Sequence, residues 1–377
     1  MMPQAPQCPP SLGRRPQSRP CHPRLATAFA PIAALPYYPA MTHPTERLPI
    51  ALDAMGGDFA PAAAVEGALD AVRRFKVQVL LVGDETALQR ELARLGGSGK
   101  LRIVHAAETI GMDEHAATAV RRRRDSSMHV CCRLVKEGRA AAAVSAGNSG
   151  AFFGVAMFAL GRVSGVDRPA LATIFPTTGK PVLILDVGAN TEVKPQQLVQ
   201  FAIMGSIYAQ RVLRRSRPSV ALLSNGEEDE KGPLVVQDAH QRLKQLGLNF
   251  VGNIEGKDVP RGKADVIVCD GFAGNVLIKT AEGVAETMLA LIRTELTSSL
   301  LNRLLAAGLH PAFRRVRAKL DYAEYGGAPL LGIQGVAIIA HGRSNANAIA
   351  NAIRVAAEAV DNGVVEAIRE GVTSPAR

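Results

Sequence analysis

Residues 48–74 read LPIALDAMGGDFAPAAAVEGALDAVRR and contain one complete structural unit. The apolar run at 50–52 is typical of a buried strand, and the glycine-rich turn at 53–58 ends it. Apolar residues then recur at helical spacing over 62–74. A strand, a glycine-rich turn and a helix in this order form the repeating unit of an α/β sheet.

The same unit recurs along the chain. Further apolar runs predict buried strands at 77–82, 101–104, 140–144, 182–185, 220–223, 266–269 and 336–339. Helical patterns separate most of them, at 86–95, 128–136, 196–212 and 235–246. Near-continuous apolar strands that alternate with amphipathic helices predict an α/β fold with a mostly parallel sheet.

The first 48 residues differ from this pattern. They hold eleven of the 23 prolines, and residues 1–40 contain four arginines and no acidic residue. A segment without a sustained apolar period cannot bury enough surface to offset its chain entropy. We therefore expect a disordered extension over 1–48, with Met41 as a candidate start, and a single α/β domain over 49–370. A targeting peptide is the alternative for the extension.

Composition limits the classes of function. Hydrophobic residues make up 47% of the 377 residues, and no apolar run reaches the ~18 residues needed to span a bilayer. The formal charge of +10 favours anionic partners such as phosphate, acidic proteins, nucleic acid or a membrane surface. Aromatic residues are only 4%, so stacking platforms for single-stranded nucleic acid are scarce. The five cysteines form no CxxC pair and indicate reduced thiols in a cytosolic protein.

Polar residues and glycines follow five of the predicted strands. In open α/β sheets, ligands bind beyond the carboxyl ends of the strands. Glycine allows the backbone to approach a ligand, and a helix that starts just after it directs free N–H groups at an anion. Several such loops at one sheet edge predict a phosphate site. The loops are DAMGGD at 53–58, SAGNSG at 145–150, DVGAN at 186–190, DGFAGN at 270–275 and HGRS at 341–344.

Several common catalytic motifs are absent from the sequence. It contains no GxxxxGK[ST] and no GxGxxG after a strand, which argues against a P-loop NTPase and a dinucleotide-binding enzyme. It also contains no HExxH, GxSxG or Cys–His constellation. The missing nucleophile predicts a reaction without a covalent enzyme intermediate. His341 is a candidate acid or base, and the alternative for it is a turn residue.

An ordered set of motifs resembles the bacterial phosphate acyltransferases of the PlsX family. The resemblance runs from about residue 48 to 370, and small departures occur at Ser149 and Ala273, where Thr is expected, and at 115–118. The motifs after the opening stretch are RRRRDSSM at 121–128, VSAGNSGA at 144–151, DRPAL at 167–171, LDVGAN at 185–190, LVQFAIMGS at 198–206, CDGFAGNVLIKTAEG at 269–283, YGGAPLLG at 325–332 and AHG at 340–342.

The resemblance implies a fold and an activity. The fold is a three-layer, mostly parallel sheet of the isocitrate/isopropylmalate dehydrogenase and phosphotransacetylase type, with a helical protrusion at about 284–320. The activity is transfer of a long acyl chain from acyl carrier protein to inorganic phosphate, with no metal or cofactor. The acyl phosphate would then serve a glycerol-3-phosphate acyltransferase in phospholipid synthesis. A homodimer in the cytoplasm, peripherally bound to an anionic membrane, is also implied.

Two sets of site residues follow from the loops and the resemblance together. The expected phosphate-binding residues are Gly56, Gly57, Asp58, Ser145, Gly147, Asn148, Ser149 and Gly150. The expected catalytic residues, around the reacting carbonyl, are Asn190, Lys194, Asp270, Asn275 and Lys279. The alternative for each is structural, because Asn, Ser and Asp after a strand cap helices by default, and a lone lysine is usually solvated.

Two surfaces are predicted to bind larger partners. The basic run Arg121, Arg122, Arg123 and Arg124 is expected to dock acidic acyl carrier protein, and its alternative is a solvated face. An apolar stripe at i, i+4 spacing predicts membrane contact, and its alternative is a dimer interface or core. The residues of the stripe are Met288, Ile292, Leu296, Leu300 and Leu304.

Two other functions remain open from the sequence. A phosphotransacetylase would use acyl-CoA in place of acyl carrier protein. A non-catalytic regulator would bind anions or nucleic acid, although the scarce aromatics argue against nucleic acid as a partner.

Overall fold

The computed structural model describes residues 47–97, 99, 101–320 and 324–373. The extension expected over 1–48 thus lies outside the described residues, apart from its last two positions. The described part of the chain carries eleven strands and eleven α-helices between Ile50 and Thr373.

Strands and helices alternate through most of the chain. The strands are β1 (Ile50–Asp53), β2 (Val79–Gly83), β3 (Arg102–His105), β4 (Ala142–Ser145), β5 (Ala170–Phe175), β6 (Val182–Leu185), β7 (Ser219–Leu223), β8 (Asn249–Ile254), β9 (Val266–Val268), β10 (Ala328–Leu331) and β11 (Val336–Ile339). The helices are α1 (Ala62–Phe75), α2 (Glu85–Arg94), α3 (Ala116–Arg122), α4 (Ser127–Lys136), α5 (Ser149–Leu160), α6 (Pro195–Arg211), α7 (Leu234–Lys244), α8 (Gly271–Thr297), α9 (Leu300–Leu320), α10 (Ala346–Asp361) and α11 (Val364–Thr373).

All eleven strands form one sheet in the order β3-β2-β1-β4-β11-β10-β5-β6-β9-β7-β8. The first five strands of this order are parallel to one another, and so are the last four. Between them, β10 is antiparallel to β11 and to β5, and β5 is antiparallel to β6. The two parallel sets therefore run in opposite directions. We call β3-β2-β1-β4-β11 the first set and β6-β9-β7-β8 the second set.

Helices cover both faces of the sheet, as the expected three-layer fold requires. Alternate residues of a strand point to opposite faces, so Ile50 and Leu52 enter one hydrophobic cluster and Ala51 enters another. The first cluster extends across both strand sets beneath α1, α2, α6, α7, α10 and α11. On the other face, α3, α4 and α5 cover the first set, and the start of α8 covers the second. The mostly parallel three-layer prediction is confirmed.

The eight predicted strands are all present, with ends that shift by up to two residues. The strands that were not predicted are β5, β8 and β10. The pattern of β5 lacks a continuous buried run, because several of its residues are only half-buried, and β8 lies at the sheet edge with a similarly mixed pattern. The strand β10 reads APLL, and its Pro329 argues against a strand in the sequence pattern.

Helices α8 and α9 form a two-helix excursion between β9 and β10. The predicted apolar stripe does not lie on one helix, because α8 ends at Thr297 and α9 begins at Leu300. Ser299 lies between the two helices, and its Oγ accepts the N–H of Asn302 at 3.1 Å and caps α9. Within the described residues, no helix combines the length and apolar character needed to cross a membrane.

Candidate functional site

The loops expected at one sheet edge form two groups. Loops 53–58, 145–150 and 341–344 leave the carboxyl ends of the first strand set, and loops 186–190 and 270–275 leave those of the second. Because β5 and β10 reverse the strand direction, the carboxyl ends of the two strand sets lie on opposite sides of the sheet along the strand direction. The expectation of a single shared edge is therefore wrong.

Asp53 organises the first group. The Ser145 hydroxyl donates to Asp53 Oδ2 at 2.6 Å, and the backbone N–H of Met55 donates to Oδ1 at 3.1 Å. The Ser145 Oγ in turn accepts the N–H of Gly147 at 3.1 Å. Burial raises the pKa of the Asp53 carboxyl, and these hydrogen bonds oppose the rise. Asp53 thus fixes the start of two loops at once.

Glycines bring the loops of the first group into direct contact. A Cβ on Gly56 would lie 2.7 Å from the backbone nitrogen of Gly147, so only glycine fits there. Gly57 adopts φ +103°, a conformation that favours glycine. The N–H of Asp58 donates to the carbonyl of Gly342 at 2.8 Å. Loops 53–58, 145–150 and 341–344 therefore form one packed cluster, and the Asp58 side chain is exposed beside it.

The start of α5 carries the anion-binding potential of this cluster. The Asn148 Oδ1 accepts the N–H of Ala151 at 3.0 Å, and its Nδ2 donates to the carbonyls of Met112 and Glu114. The Asn148 side chain is therefore engaged as a helix cap. Ser149 and Gly150 are exposed, and first-turn geometry leaves their N–H groups without an i−4 acceptor. These N–H groups and the Ser149 hydroxyl are the donors available to a phosphate.

Asp186 organises the second group in the same way. Its carboxylate accepts the N–H groups of Leu171, Ala189 and Asn190 at 3.0, 3.1 and 2.7 Å. The Asn190 side chain donates to Asp186 Oδ2 and to the carbonyl of Pro169, both at 2.8 Å. Burial raises the pKa of Asp186, and the hydrogen bonds oppose the rise. The predicted catalytic Asn190 is thus buried and engaged within the protein.

Helix α8 begins against this buried loop. The Asp270 Oδ1 accepts the N–H of Ala273 at 2.8 Å, which is the capping role expected by default. A Cβ on Gly274 would lie 1.9 Å from the carbonyl oxygen of Asp186, so the helix contacts the loop through bare backbone. Asn275 is exposed, and a Cβ on Gly188 would lie 3.9 Å from its side chain. The amide of Asn275 therefore projects beside loop 186–190.

Helix α8 also connects the two groups. Lys279, one turn beyond Asn275, has its Nζ 3.3 Å from Nε2 of His341 and 2.7 Å from Glu282. Further along, Arg343 forms an ion pair with Glu286 at 3.2 Å. Loop 341–344 of the first group thus meets the helix that starts in the second group. Together these contacts bring the two loop groups into one candidate site.

Among the predicted catalytic residues, Lys194 stands apart. It precedes α6, and its backbone N–H donates to Gln197 Oε1 at 2.8 Å. No hydrogen bond or ion pair joins its exposed ammonium to another predicted site residue in the described part of the chain.

A loop at the same end of the second strand set was not among the predicted sites. Residues 224–233 (SNGEEDEKGP) leave the end of β7, which pairs with β9. His240 on α7 is buried and lies 3.0 Å from Asp229 of this loop and 2.9 Å from Asn253. The exposed Lys231 lies in the same loop. The Asn-Gly pair at 225–226, one residue after a predicted strand, is the signal that could have found it.

Comparison with known proteins identifies the family. Residues 48–367 match the model of the family described as "Fatty acid synthesis protein". The chain belongs to this family. Curated relatives in the family are phosphate acyltransferases, and the chain is an enzyme of the acyltransferase class.

The alignments with three curated relatives cover nearly the whole length of each relative. The phosphate acyltransferase of Heliobacterium modesticaldum is 51% identical over 325 residues, 86% of this chain and 97% of the relative. The protein of the same name from Geobacter sulfurreducens is 51% identical over 322 residues, 85% of this chain and 93% of the relative. That from Pelotomaculum thermopropionicum is 48% identical over 325 residues, 86% of this chain and 95% of the relative.

Solved structures support the fold assignment. The EutD phosphotransacetylase from Staphylococcus aureus superposes with a TM-score of 0.57 at 18% identity, over 84% of this chain and 94% of that one. A phosphotransacetylase from Streptococcus pyogenes gives a TM-score of 0.54 at 16% identity, over 86% and 94% of the two chains. At this identity the likeness concerns the fold alone, and it agrees with the predicted phosphotransacetylase-type architecture.

Proposed function

We propose that this enzyme transfers a long-chain acyl group from acyl carrier protein to inorganic phosphate. The products are acyl phosphate and free carrier protein, and a glycerol-3-phosphate acyltransferase of phospholipid synthesis consumes the acyl phosphate. The observation that carries the proposal is the contact between Lys279 on α8 and His341, which brings the loop group that holds the start of α5 beside the group that holds Asn275. Such a site can hold two anionic substrates beside each other.

Phosphate itself is a competent nucleophile toward a thioester. The protein has to hold it in line with the carbonyl carbon and stabilise the oxyanion that forms. We assign phosphate to the start of α5, where Ser149 and Gly150 present their N–H groups. We assign the thioester carbonyl to the side of the cleft lined by Asn275 and Lys279. Direct attack then needs no covalent intermediate on the enzyme.

The surface formed by α3 and α5 suits an acidic carrier protein. The two helices pack through small residues, since a Cβ on Gly154 would lie 3.2 Å from Val120. Directly after Val120 come the exposed arginines 121, 122 and 124, and one turn after Gly154 comes Phe158, which is 79% exposed. An apolar ring flanked by cations matches an acidic helix with an apolar face. We place carrier-protein docking there.

The α8–α9 excursion suits an apolar partner. Met288 and Ile292 are 54% and 39% exposed, and Leu296 is half-buried. The side chains of Leu300 and Leu304 lie outside the described residues. Arg303, Arg314 and Arg315 add exposed positive charge on α9. An exposed apolar stripe with nearby cations fits an anionic membrane surface, and a homodimer interface is the second use of the same face. The proposed location is the cytoplasmic side of the membrane.

The deciding assay supplies purified protein with long-chain acyl carrier protein and labelled phosphate. We expect labelled acyl phosphate and an equal amount of free carrier protein. Acetyl-CoA in place of the acyl carrier protein is the matched control. Acyl phosphate from acetyl-CoA alone would show a phosphotransacetylase. No acyl phosphate from either donor, together with tight and salt-sensitive DNA binding, would show a non-catalytic regulator.

A further inference from the structure

The loop between β3 and α3 is a further part of the first loop group. It leaves the carboxyl end of β3, a strand of the first set, and none of its residues was among the predicted site residues. The Asn148 Nδ2 donates to two carbonyls of this loop, those of Met112 at 3.2 Å and Glu114 at 2.9 Å. A Cβ on Gly342 would lie 2.5 Å from Cε of Met112. Loop 111–114 therefore packs against two other loops of the group.

The Asn148 amide connects this loop to the start of α5. Its Nδ2 donates to the two carbonyls of loop 111–114, and its Oδ1 accepts the N–H of Ala151 at 3.0 Å. The amide is thus held on one side by the loop and on the other by the first turn of the helix. Ser149 and Gly150 lie between Asn148 and Ala151 in the chain. The direction of their free N–H groups therefore depends on the same amide.

Glu114 holds loop 111–114 in its turn. Its Oε1 accepts the N–H of Gly111 at 2.9 Å, and its own N–H donates to the carbonyl of Gly111 at 3.3 Å. Its Oε2 accepts Nε–H of Arg123 at 3.0 Å. The hydrogen bond from Gly111, followed by that from Arg123, holds the pKa of the Glu114 carboxyl below its usual 4.5. The group is therefore a carboxylate at pH 7, and it joins the turn to the end of α3.

Arg123 differs from its neighbours in the basic run. It is half-buried and directed at Glu114, whereas Arg121, Arg122 and Arg124 are exposed. The ion pair also compensates a carboxylate whose loop contacts the start of α5, where an uncompensated negative charge would repel phosphate. The run thus divides into one arginine that holds loop 111–114 and three that remain available to a carrier protein.

We propose that Glu114 is a positioning residue for phosphate, which fixes loop 111–114 against Asn148 and so orients the free N–H groups at the start of α5. The inference rests on the proposed function, which assigns phosphate to these N–H groups. Donors that are already oriented bind an anion without the cost of ordering them during binding. Glu114 acts through the loop and the Asn148 amide, and Arg123 holds its carboxylate in place.

The first kinetic test compares Glu114→Ala and Glu114→Gln with wild type. Loss of one hydrogen bond to a charged group corresponds to about tenfold or more in a binding constant, so Glu114→Ala should raise KM for phosphate about tenfold. Its kcat at saturating phosphate and its KM for acyl carrier protein should stay within about twofold of wild type, because the thioester side of the site is unchanged. Glu114→Gln keeps an acceptor for the N–H of Gly111, so its KM for phosphate should lie between the other two.

Another glutamate–arginine pair provides the matched control. Glu137 pairs with Arg139 at 3.2 Å in the connection from α4 to β4, which leads into the amino end of this strand and so lies away from the loop group. Glu137→Ala should behave as wild type in every constant. Thermal unfolding of each variant checks that the fold is intact.

The second kinetic test compares two arginines of the basic run. Arg123→Ala should raise KM for phosphate as Glu114→Ala does and leave KM for acyl carrier protein unchanged. Arg122→Glu should do the reverse, because its side chain is exposed beside the proposed docking surface. The double variant of Glu114→Ala and Arg123→Ala should have a KM for phosphate no higher than that of the worse single variant, since both changes remove the same contact.

A binding measurement tests the same point without turnover. Addition of inorganic phosphate to the wild type should shift the backbone ¹H–¹⁵N NMR signals of Ser149 and Gly150. Arg123→Ala should need about tenfold more phosphate for the same shifts. The same phosphate dependence in the two proteins would overturn the inference, even if Glu114→Ala did not fold.

The kinetic outcomes separate this inference from the proposed function. A wild type that forms no acyl phosphate overturns the function and, with it, the inference. An active wild type together with a Glu114→Ala variant whose KM for phosphate is within about twofold of it overturns only the inference. An equal rise in KM for phosphate and for acyl carrier protein also overturns it, because loop 111–114 would then support the whole site and not phosphate binding.

Discussion

Two glycines of α8 should respond in opposite directions to the same substitution. Gly274 and Gly283 both lie inside this helix, where alanine is preferred to glycine by about 1 kcal/mol. A Cβ on Gly283 meets no atom within 4 Å, whereas a Cβ on Gly274 lies 1.9 Å from the carbonyl oxygen of Asp186. We therefore expect Gly283→Ala to stabilise the protein and Gly274→Ala to destabilise it.

The size of the effect follows from the contact. A carbon and an oxygen without a bond between them need more than 3 Å, so Gly274→Ala forces α8 and loop 186–190 apart by more than 1 Å. Overpacking of this kind costs about 1–3 kcal/mol or more. The higher helix propensity of alanine offsets only about 1 kcal/mol of this cost. We expect a loss of about 2 kcal/mol for Gly274→Ala and a gain of up to about 1 kcal/mol for Gly283→Ala.

Activity should separate the two variants further. Gly274 fixes the start of the helix that carries Asn275 and Lys279, and a displacement of about 1 Å at a reacting group lowers turnover by about 10²-fold. Urea unfolding followed by circular dichroism gives the free energies, and the labelled-phosphate assay gives kcat. Equal stability of the two variants, or a Gly274→Ala variant with full activity, would refute the placement of α8 against Asp186.

Three further outcomes are expected. Burial raises the pKa of Asp53 above 3.8, so this group stabilises the fold fully below that pH and less as the pH rises through its raised pKa. Asp53→Asn should flatten this decline in the free energy of unfolding, measured by urea unfolding from pH 4 to 8. The same pH dependence in the variant and the wild type would contradict this expectation. Met288→Glu should weaken co-sedimentation with anionic vesicles at least tenfold while the oligomeric state by light scattering is unchanged, and equal binding would exclude this side chain from the membrane contact. Arg122→Glu and Phe158→Ser should each raise KM for acyl carrier protein severalfold, but leave KM for phosphate unchanged, and a parallel change in both constants would place docking elsewhere.

The sequence predicted the local units of this fold better than their arrangement. Most predicted strands are short apolar runs that are buried on both faces, with the edge strand β3 as the exception, and this pattern is local. The reversal of direction between the two parallel sets depends on β5 and β10, whose pairing joins Leu171 and Leu330. Residues so far apart in the chain leave no local pattern, so the loops could not be divided into two groups from sequence.

The candidate site shows a similar division. Loops 145–150 and 270–275 were found from their glycines and their place after strands, and both lie at the site. The residue type alone did not predict which side chains face the candidate site. The amides of Asn148 and Asn190 form hydrogen bonds within the protein, whereas the side chain of Asn275 projects outward. The contact between His341 and Lys279 depends on the length and direction of α8 and has no signature in either motif.

The position of β11 affects how the chain folds as it leaves the ribosome. This strand lies between β4 and β10, yet roughly 190 residues separate it from β4 in the chain. At a synthesis rate of about 5–20 residues per second, β11 becomes available to pair with β4 only about 10–40 s after β4 is made. An unpaired strand edge recruits other strands, so the nascent chain offers a chaperone-binding and aggregation-prone surface throughout this interval. A polypeptide that terminates before Val336 keeps that edge open permanently and should accumulate as aggregate, not as a smaller folded unit.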